Sequence, residues 1–308
     1  MQSTTTTVTS QDGTSLFTHR WLPDGEVRGV VQIVHGQAEH SARYARLAGA
    51  LTGAGFAVYA HDHRGHGRTA GDADRCYLAD DDGWESLVED ARAVTATIRE
   101  EHPDAPLFLL GHSMGSVAAR EYVIGGSDEL AGLVLSGSVA DPGLLGLAGL
   151  QVARLEARLR GRRHVSPLLN TLSFGQYNSA FKPNRTDFDW LSRDEAEVDA
   201  YVADAWCGEV MTAGYWADFL PGLRAVNDPA RIARVRPDLP VLLLAGDKDP
   251  VGAGGKGPRA TREQYAQAGV HDVTCTVYPG ARHEIFNETN REEVTADLLA
   301  WLGAHLPG

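Results

Sequence analysis

Apolar residues fall along this chain in short, nearly unbroken runs, separated by longer stretches whose apolar positions recur with helical spacing. Residues 29–34, 56–60, 107–110, 130–135, 241–245 and 273–278 are runs of the first kind. They are too short for buried helices and rich in Val, Leu and Ile, so they predict strands buried on both faces. Residues 5–9 and 15–21 alternate instead and meet at Gln11-Asp12-Gly13, which predicts an antiparallel pair. Helical spacing marks residues 43–53, 84–101, 116–124 and 288–302, with His102-Pro103 closing the second of these. Strand alternating with helix implies a mostly parallel sheet with helices on both faces.

The rhythm breaks once. Between a strand ending near residue 138 and one starting near 241 there is no run of comparable quality, only helical pieces at 144–159, 194–204 and 209–220. An insertion there reads as a helical cap over the C-terminal edge of the sheet, where open α/β sheets bind ligands. The expected division is a core of residues 1–140 and 225–308 with a cap of residues 141–224. Trp190, Trp206 and Trp216 fall in that region and give it apolar surface.

Composition narrows the function classes. Of 308 residues 43% are hydrophobic and 22% charged, a balance that excludes a disordered chain. Lys and Arg number 28 against 41 Asp and Glu, a net charge of −13 that repels phosphates, so no nucleic-acid partner is expected. No apolar stretch reaches the ~18–20 residues of a membrane span. The first residues, MQSTTTTVTSQDG, have neither the basic nor the apolar part of a signal peptide. Cys76, Cys207 and Cys275 lie far apart and form no C-x-x-C pair, which suits a reducing compartment. A cytoplasmic protein is expected; the oligomeric state is left open.

Chemistry enters at Gly111-His112-Ser113-Met114-Gly115, a G-x-S-x-G pattern. Alone it is weak, but here it directly follows a predicted strand and opens a predicted helix. That context is the elbow that holds a nucleophilic serine in a strained, exposed turn, with glycines letting neighbouring backbone pass closely. Such a serine needs a general base, and the base needs a carboxylate, in the chain order Ser, Asp, His. The strand at 241–245 runs into Gly246-Asp247-Lys248-Asp249-Pro250. Both carboxylates are candidates; Asp249, further into the loop, is preferred, and Asp247 suits the turn. Of the downstream histidines, His271 precedes the last strand and His305 lies in the tail. Only His283 sits in the loop leaving that strand's C-terminal end. The oxyanion hole is expected from the N–H of Met114 and an N–H of the loop His35-Gly36-Gln37-Ala38, Gln37 foremost.

Assembled, these pieces resemble α/β-hydrolases of the monoacylglycerol lipase and bacterial lysophospholipase-like group. The resemblance is carried by HGQAEHSARY (35–44), YAHDHRGHGRT (59–69), GHSMGS (111–116), GDKDPVG (246–252) and YPGARHEIFNE (278–288). It implies an α/β-hydrolase fold, with Ser113 as nucleophile, Asp249 as acid, His283 as base, and Gln37 and Met114 as oxyanion donors. It also implies that Glu39 and Arg43 shape a polar pocket near the leaving alcohol. Members generally hydrolyse esters of one fatty acyl chain under a helical cap, without a cofactor, so a small-molecule or lipid ester is the expected substrate. Acyl length and headgroup are not fixed by it.

Other features read as scaffold or stay open. His61-Asp62-His63-Arg64-Gly65-His66 looks like a metal cluster, but its spacing fits no metallohydrolase box and Arg64 sets a cation among the ligands; no metal is expected. The run 252–257 lacks the Ser or Thr that follows Lys in a phosphate loop, and it reads as flexible spacing on which no helix opens. Leu144, Leu147, Val152, Leu155 and Leu159, beside Arg154, Arg158, Arg160, Arg162 and Arg163, read two ways. They form a cap helix packed on the core with solvated arginines, or a basic amphipathic helix in transient contact with a membrane surface. Tyr215, Trp216 and Phe219 are cap core or the wall of an acyl pocket. Rival functions are a broad carboxylesterase, amide or peptide cleavage or acyl transfer on the same triad, and a non-catalytic binding module. Serine at position 113 argues against the carboxylate nucleophile of epoxide and haloalkane hydrolases.

Overall fold

In the computed structural model, which describes residues 1–306, eight strands form one sheet. They are β1 (Gln2–Thr9), β2 (Ser15–Leu22), β3 (Gly29–Val34), β4 (Phe56–His61), β5 (Leu107–His112), β6 (Gly132–Ser136), β7 (Val241–Gly246) and β8 (Val273–Tyr278). Their spatial order is β1-β2-β4-β3-β5-β6-β7-β8. The pairs β1–β2 and β2–β4 are antiparallel and every other neighbour is parallel. This is the expected α/β-hydrolase sheet. The reason for the unbroken apolar runs is plain: β3, β4, β5, β6 and β7 are buried along their whole length.

Strand period two divides the core. Leu107 and Leu109 point into one cluster, shared with Leu87, Val94 and Ile98 of helix Gly83–Glu101 and with Val117 and Val123 of helix Met114–Gly125. Phe108 and Leu110 point into the other, shared with Leu47 and Leu51 of helix Ala45–Gly53 and Leu298 and Leu302 of helix Arg291–Ala304. A sheet covered on both faces leaves its C-terminal edge as the place for loops, and β3, β5, β7 and β8 all send their following loops there.

Between β6 and β7 the chain builds helices Gly143–Arg160, Pro167–Leu172, Phe174–Tyr177, Glu195–Ala203 and Ala213–Ala225. The first and last pack against each other. Two readings change here. The helix expected from residue 209 begins at Ala213, because Thr212 caps it by accepting the Tyr215 N–H at 3.1 Å, and it continues through Pro221. The two short helices between residues 167 and 177 had no clear periodic signal. A third reading is corrected as well: a helix, Lys256–Gln267, does open on the glycine run, with Gly255 at its N-cap in the left-handed region. No helix among the described residues is long and apolar enough to cross a membrane.

Candidate active site

Ser113 stands between the end of β5 and helix Met114–Gly125, at φ +53° and ψ −119°. A non-glycine residue pays for that backbone only where the surroundings over-determine it. Here they do. Its N–H donates to the Ser136 carbonyl at 2.9 Å, and its carbonyl accepts from the N–H and hydroxyl of Ser116. The flanking glycines leave no room for a side chain: a Cβ on Gly111 would lie 2.3 Å from the Gly115 carbonyl oxygen, and one on Gly115 would lie 2.0 Å from that of Val34. The elbow is therefore as tight as the sequence pattern implies.

The loops after β7 and β8 bring Asp249 to His283. Nδ1 of His283 lies 3.0 Å from Oδ1 of Asp249, and both side chains are buried. The same Oδ1 accepts the Val251 N–H at 2.9 Å, which fixes the carboxylate. Asp247, the other candidate, instead accepts the Gly280 N–H at 2.7 Å and holds the two loops together. The His283 ring packs between His112 and Trp190, at centroid distances of 4.8 and 5.1 Å. Burial opposes the imidazolium, yet the charge and hydrogen bond of Asp249, with Glu284 and Glu39 behind, outweigh it and raise His283 above its ordinary 6.5. Burial and the neighbouring His283 push His112 down to about 4, so it stays neutral beside its partner.

Ser113 and His283 border one narrow crevice together with Gly36, Gln37 and Glu39. No hydrogen bond joins Ser113 to His283 among the described residues; such contacts commonly tighten only with substrate bound. Met114 is the first residue of its helix, so its N–H lies at the positive end of the helix dipole. The hydroxyl of Tyr215 reaches the side chains of both expected oxyanion donors, 3.0 Å from Gln37 Oε1 and 2.9 Å from Met114 Sδ. Tyr215 thus touches the site from behind, and Trp216 beside it faces the main cavity.

Glu39 is buried and Arg43 partly so, and their polar atoms are engaged within the chain. Glu39 accepts from the Gly36 N–H at 2.6 Å, the Tyr44 hydroxyl at 2.9 Å and Arg43 at 2.7 Å. Arg43 also makes a two-pronged pair with Glu284, at 2.6 and 2.7 Å. Burial by itself would raise the Glu284 carboxyl, but Arg43 brings it down to about 2. Glu284 escaped the sequence reading, although it directly follows His283. Both Glu39 and Arg43 border a narrow pocket beside His112, and Glu39 reaches the crevice itself.

A cavity of about 520 Å³ opens on Ser113, Gln37 and Met114. Its wall is mostly apolar, with Val152, Leu169, Phe174, Trp216, Phe219 and Leu223 among the contributors. A second cavity of about 380 Å³, lined by Asn170, Asn178, Asp187 and Glu209, shares Phe174 with it. The histidines of residues 61–66 do not converge on a point but hydrogen-bond to one another and to backbone. Ligand-type atoms of His40, Asp204 and Cys207 do come within 4.8 Å of one another. His40 is already bonded to Asp204 at 2.9 Å, and burial keeps the Cys207 thiol protonated, so this trio is poorly suited to a metal.

Known proteins resemble this chain over most of its length. The profile of the serine aminopeptidase S33 family matches residues 25–290. A monoacylglycerol lipase of Mycolicibacterium smegmatis is 34% identical over 93% of this chain and 92% of its own. A monoglyceride lipase of Mus musculus is 33% identical over 94% of this chain and 85% of its own. A thermostable carboxyl esterase from Bacillus coagulans, crystallised with glycerol, superposes with a TM-score of 0.92 at 29% identity, covering all of both chains. The chain belongs to the serine aminopeptidase S33 family of α/β-hydrolases and is a serine hydrolase of the type that cleaves carboxylic esters.

Proposed function

We propose that this protein hydrolyses esters joining one fatty acyl chain to a small alcohol, of the monoacylglycerol or lysophospholipid type, with Ser113, His283 and Asp249 as its triad. The observation that carries the reading is the apolar cavity of about 520 Å³ that opens on Ser113, within the ~300–1,000 Å³ of small-molecule sites. Relatives named for monoacylglycerol hydrolysis support it, as does the glycerol bound to the Bacillus coagulans esterase.

The reaction follows from the residues. Ser113 Oγ attacks the ester carbonyl while His283 Nε2 takes its proton, and Asp249 steadies the imidazolium through Nδ1. Negative charge on the carbonyl oxygen rests on the N–H groups of Gln37 and Met114. His283 returns the proton to the leaving alcohol, and an acyl-serine remains. Water, activated by the same imidazole, cleaves it and regenerates Ser113.

Residues 141–224 act as a cap over a core of 1–140 and 225–308. Leu144 and Leu145 are 83% and 82% exposed at its surface, and Leu145 also lines the cavity. That continuity supports transient contact with a lipid surface during substrate entry. The test is a panel of monoacylglycerols, p-nitrophenyl esters from butyrate to palmitate, lysophospholipids and aminoacyl amides. Long-chain monoesters are expected to give the highest kcat/KM; faster turnover of the amides would overturn the assignment.

A further inference from the structure

Behind the loop that carries Gln37 lies a buried row of imidazoles that the hydrolytic steps leave unused: His61, His63 and His35. Two groups that can act only one way fix the direction of every bond in the row. The backbone N–H of His63 donates to His35 Nε2 at 3.0 Å, so that nitrogen is bare and the proton of His35 sits on Nδ1. From there it donates to the Gly36 carbonyl at 2.7 Å. Nε2 of His63 faces the His35 carbonyl at 3.0 Å and must therefore carry the proton of that ring. Its Nδ1 then accepts from His61 Nε2–H at 3.1 Å. The last nitrogen, His61 Nδ1, is buried and unpartnered among the described residues, the lone-pair end of the row. Burial holds all three rings below their ordinary pKa, which keeps these tautomers neutral.

We propose that His35, backed by His63 and His61, is a positioning residue that sets the plane of the Gly36–Gln37 peptide and so aims the Gln37 N–H at the developing oxyanion. The peptide is trans, so its C=O and N–H point to opposite sides. Pinning the carbonyl to His35 Nδ1–H turns the Gln37 N–H away from the ring. The other end of Gly36 is pinned too, because its N–H donates to Glu39 Oε1 at 2.6 Å. The segment lies against the nucleophile: a Cβ on Gly36 would sit 3.2 Å from Ser113 Cβ. A tilt of this peptide therefore moves an oxyanion donor relative to Ser113 directly. The inference rests on the reading of Gln37 as such a donor.

The test pairs His35→Phe, which keeps a ring and removes both nitrogens, with His35→Asn, which keeps an N–H near the Nδ1 position. His35→Phe is expected to lower kcat on a p-nitrophenyl ester about 30-fold with KM within about two-fold, short of the full loss of one oxyanion donor. Its affinity for an alkyl boronic acid, which forms a tetrahedral adduct on the serine, falls by a similar factor. Its affinity for a long-chain primary alcohol, which only fills the apolar cavity, stays unchanged. His35→Asn recovers about ten-fold of the lost kcat. Wild-type kcat in folded His35→Phe, or equal weakening of both ligands, would overturn the proposal. Should His35→Phe not fold, His63→Phe removes the bond to the His35 carbonyl while its backbone N–H still holds the His35 ring. A smaller fall in kcat, about three- to ten-fold, is then expected with the same split between the two ligands. Fluorophosphonate labelling separates the two levels. If Ser113 is not labelled in the wild type, the underlying reading fails; if it is labelled and His35→Phe is fully active, only the positioning role fails.

Discussion

His283 and Asp249, both buried, meet at 3.0 Å, 34 positions apart in sequence and on the loops of adjacent strands. The contact works on catalysis and on stability in opposite directions. The general base must be neutral, so kcat/KM is expected to rise with pH through an apparent pKa above 6.5, the direction in which Asp249 shifts the ring. A group with a raised folded pKa stabilises fully below its unfolded value and loses that contribution as pH rises through the folded one. Stability from this pair is thus expected to fall over the same interval in which activity appears. Parallel pH profiles of kcat/KM and of urea midpoint check this; activity limbs centred well below 6.5 would contradict it.

Asp249→Asn removes the charge and disturbs the tautomer while leaving the shape. It is expected to lower kcat by about 10³–10⁴-fold and to move the acid limb of the profile downward. An unchanged limb would remove Asp249 from the role of orienting partner.

The Arg43 guanidinium lies between two buried carboxylates, those of Glu39 and Glu284. Arg43→Met leaves both charges without their partner, at a cost of about 3–5 kcal/mol in unfolding free energy. The Glu284 share of this stability is present above the unfolded carboxyl value and is lost as pH falls toward about 2. Chemical denaturation of the variant at neutral pH checks the figure. A loss under about 1 kcal/mol would mean the cluster relaxes into water.

Gly149 offers a clean way to shorten the apolar cavity it borders. A Cβ there would meet only Leu220 Cδ1, at an ordinary 3.6 Å, and its backbone is helical. Gly149→Leu is expected to spare butyrate esters and to lower kcat/KM for palmitate esters about four-fold for each methylene excluded. A uniform loss at every chain length would place the acyl group elsewhere.

Tyr215→Phe removes the hydroxyl that touches the side chains of Gln37 and Met114. A fall in kcat of about three- to ten-fold, with KM little changed, is expected from a loosened oxyanion hole. Steady-state kinetics on one p-nitrophenyl ester suffices, and a change confined to KM would return Tyr215 to the substrate wall.

Much of this was legible before any coordinates, for physical reasons. Strands buried on both faces have to be continuous apolar runs, so β3 to β7 announce themselves. The elbow is legible because Gly111 and Gly115 have no alternative residue at those contact distances. Order along the chain and position relative to a strand end single out His283 over His271 and His305, and His283 is the ring that meets Asp249. Three things were hidden. Glu284 takes its meaning from Arg43, 241 positions away, and no local pattern reports such a pair. The start of the helix at Ala213, four residues after the hydrophobic pattern begins to look helical, turns on a single hydroxyl, that of Thr212. Tyr215 and Trp216, adjacent in sequence, part at the site: one backs the oxyanion loop and the other faces the cavity.

Whether Ser113 is the nucleophile of an acyl-enzyme is decided by mapping the adduct of an alkyl fluorophosphonate by peptide mass spectrometry. A single stoichiometric modification on Ser113 is expected, matched by loss of ester hydrolysis and absent in Ser113→Ala. Modification of a different residue, or full hydrolysis after Ser113 is blocked, would contradict it.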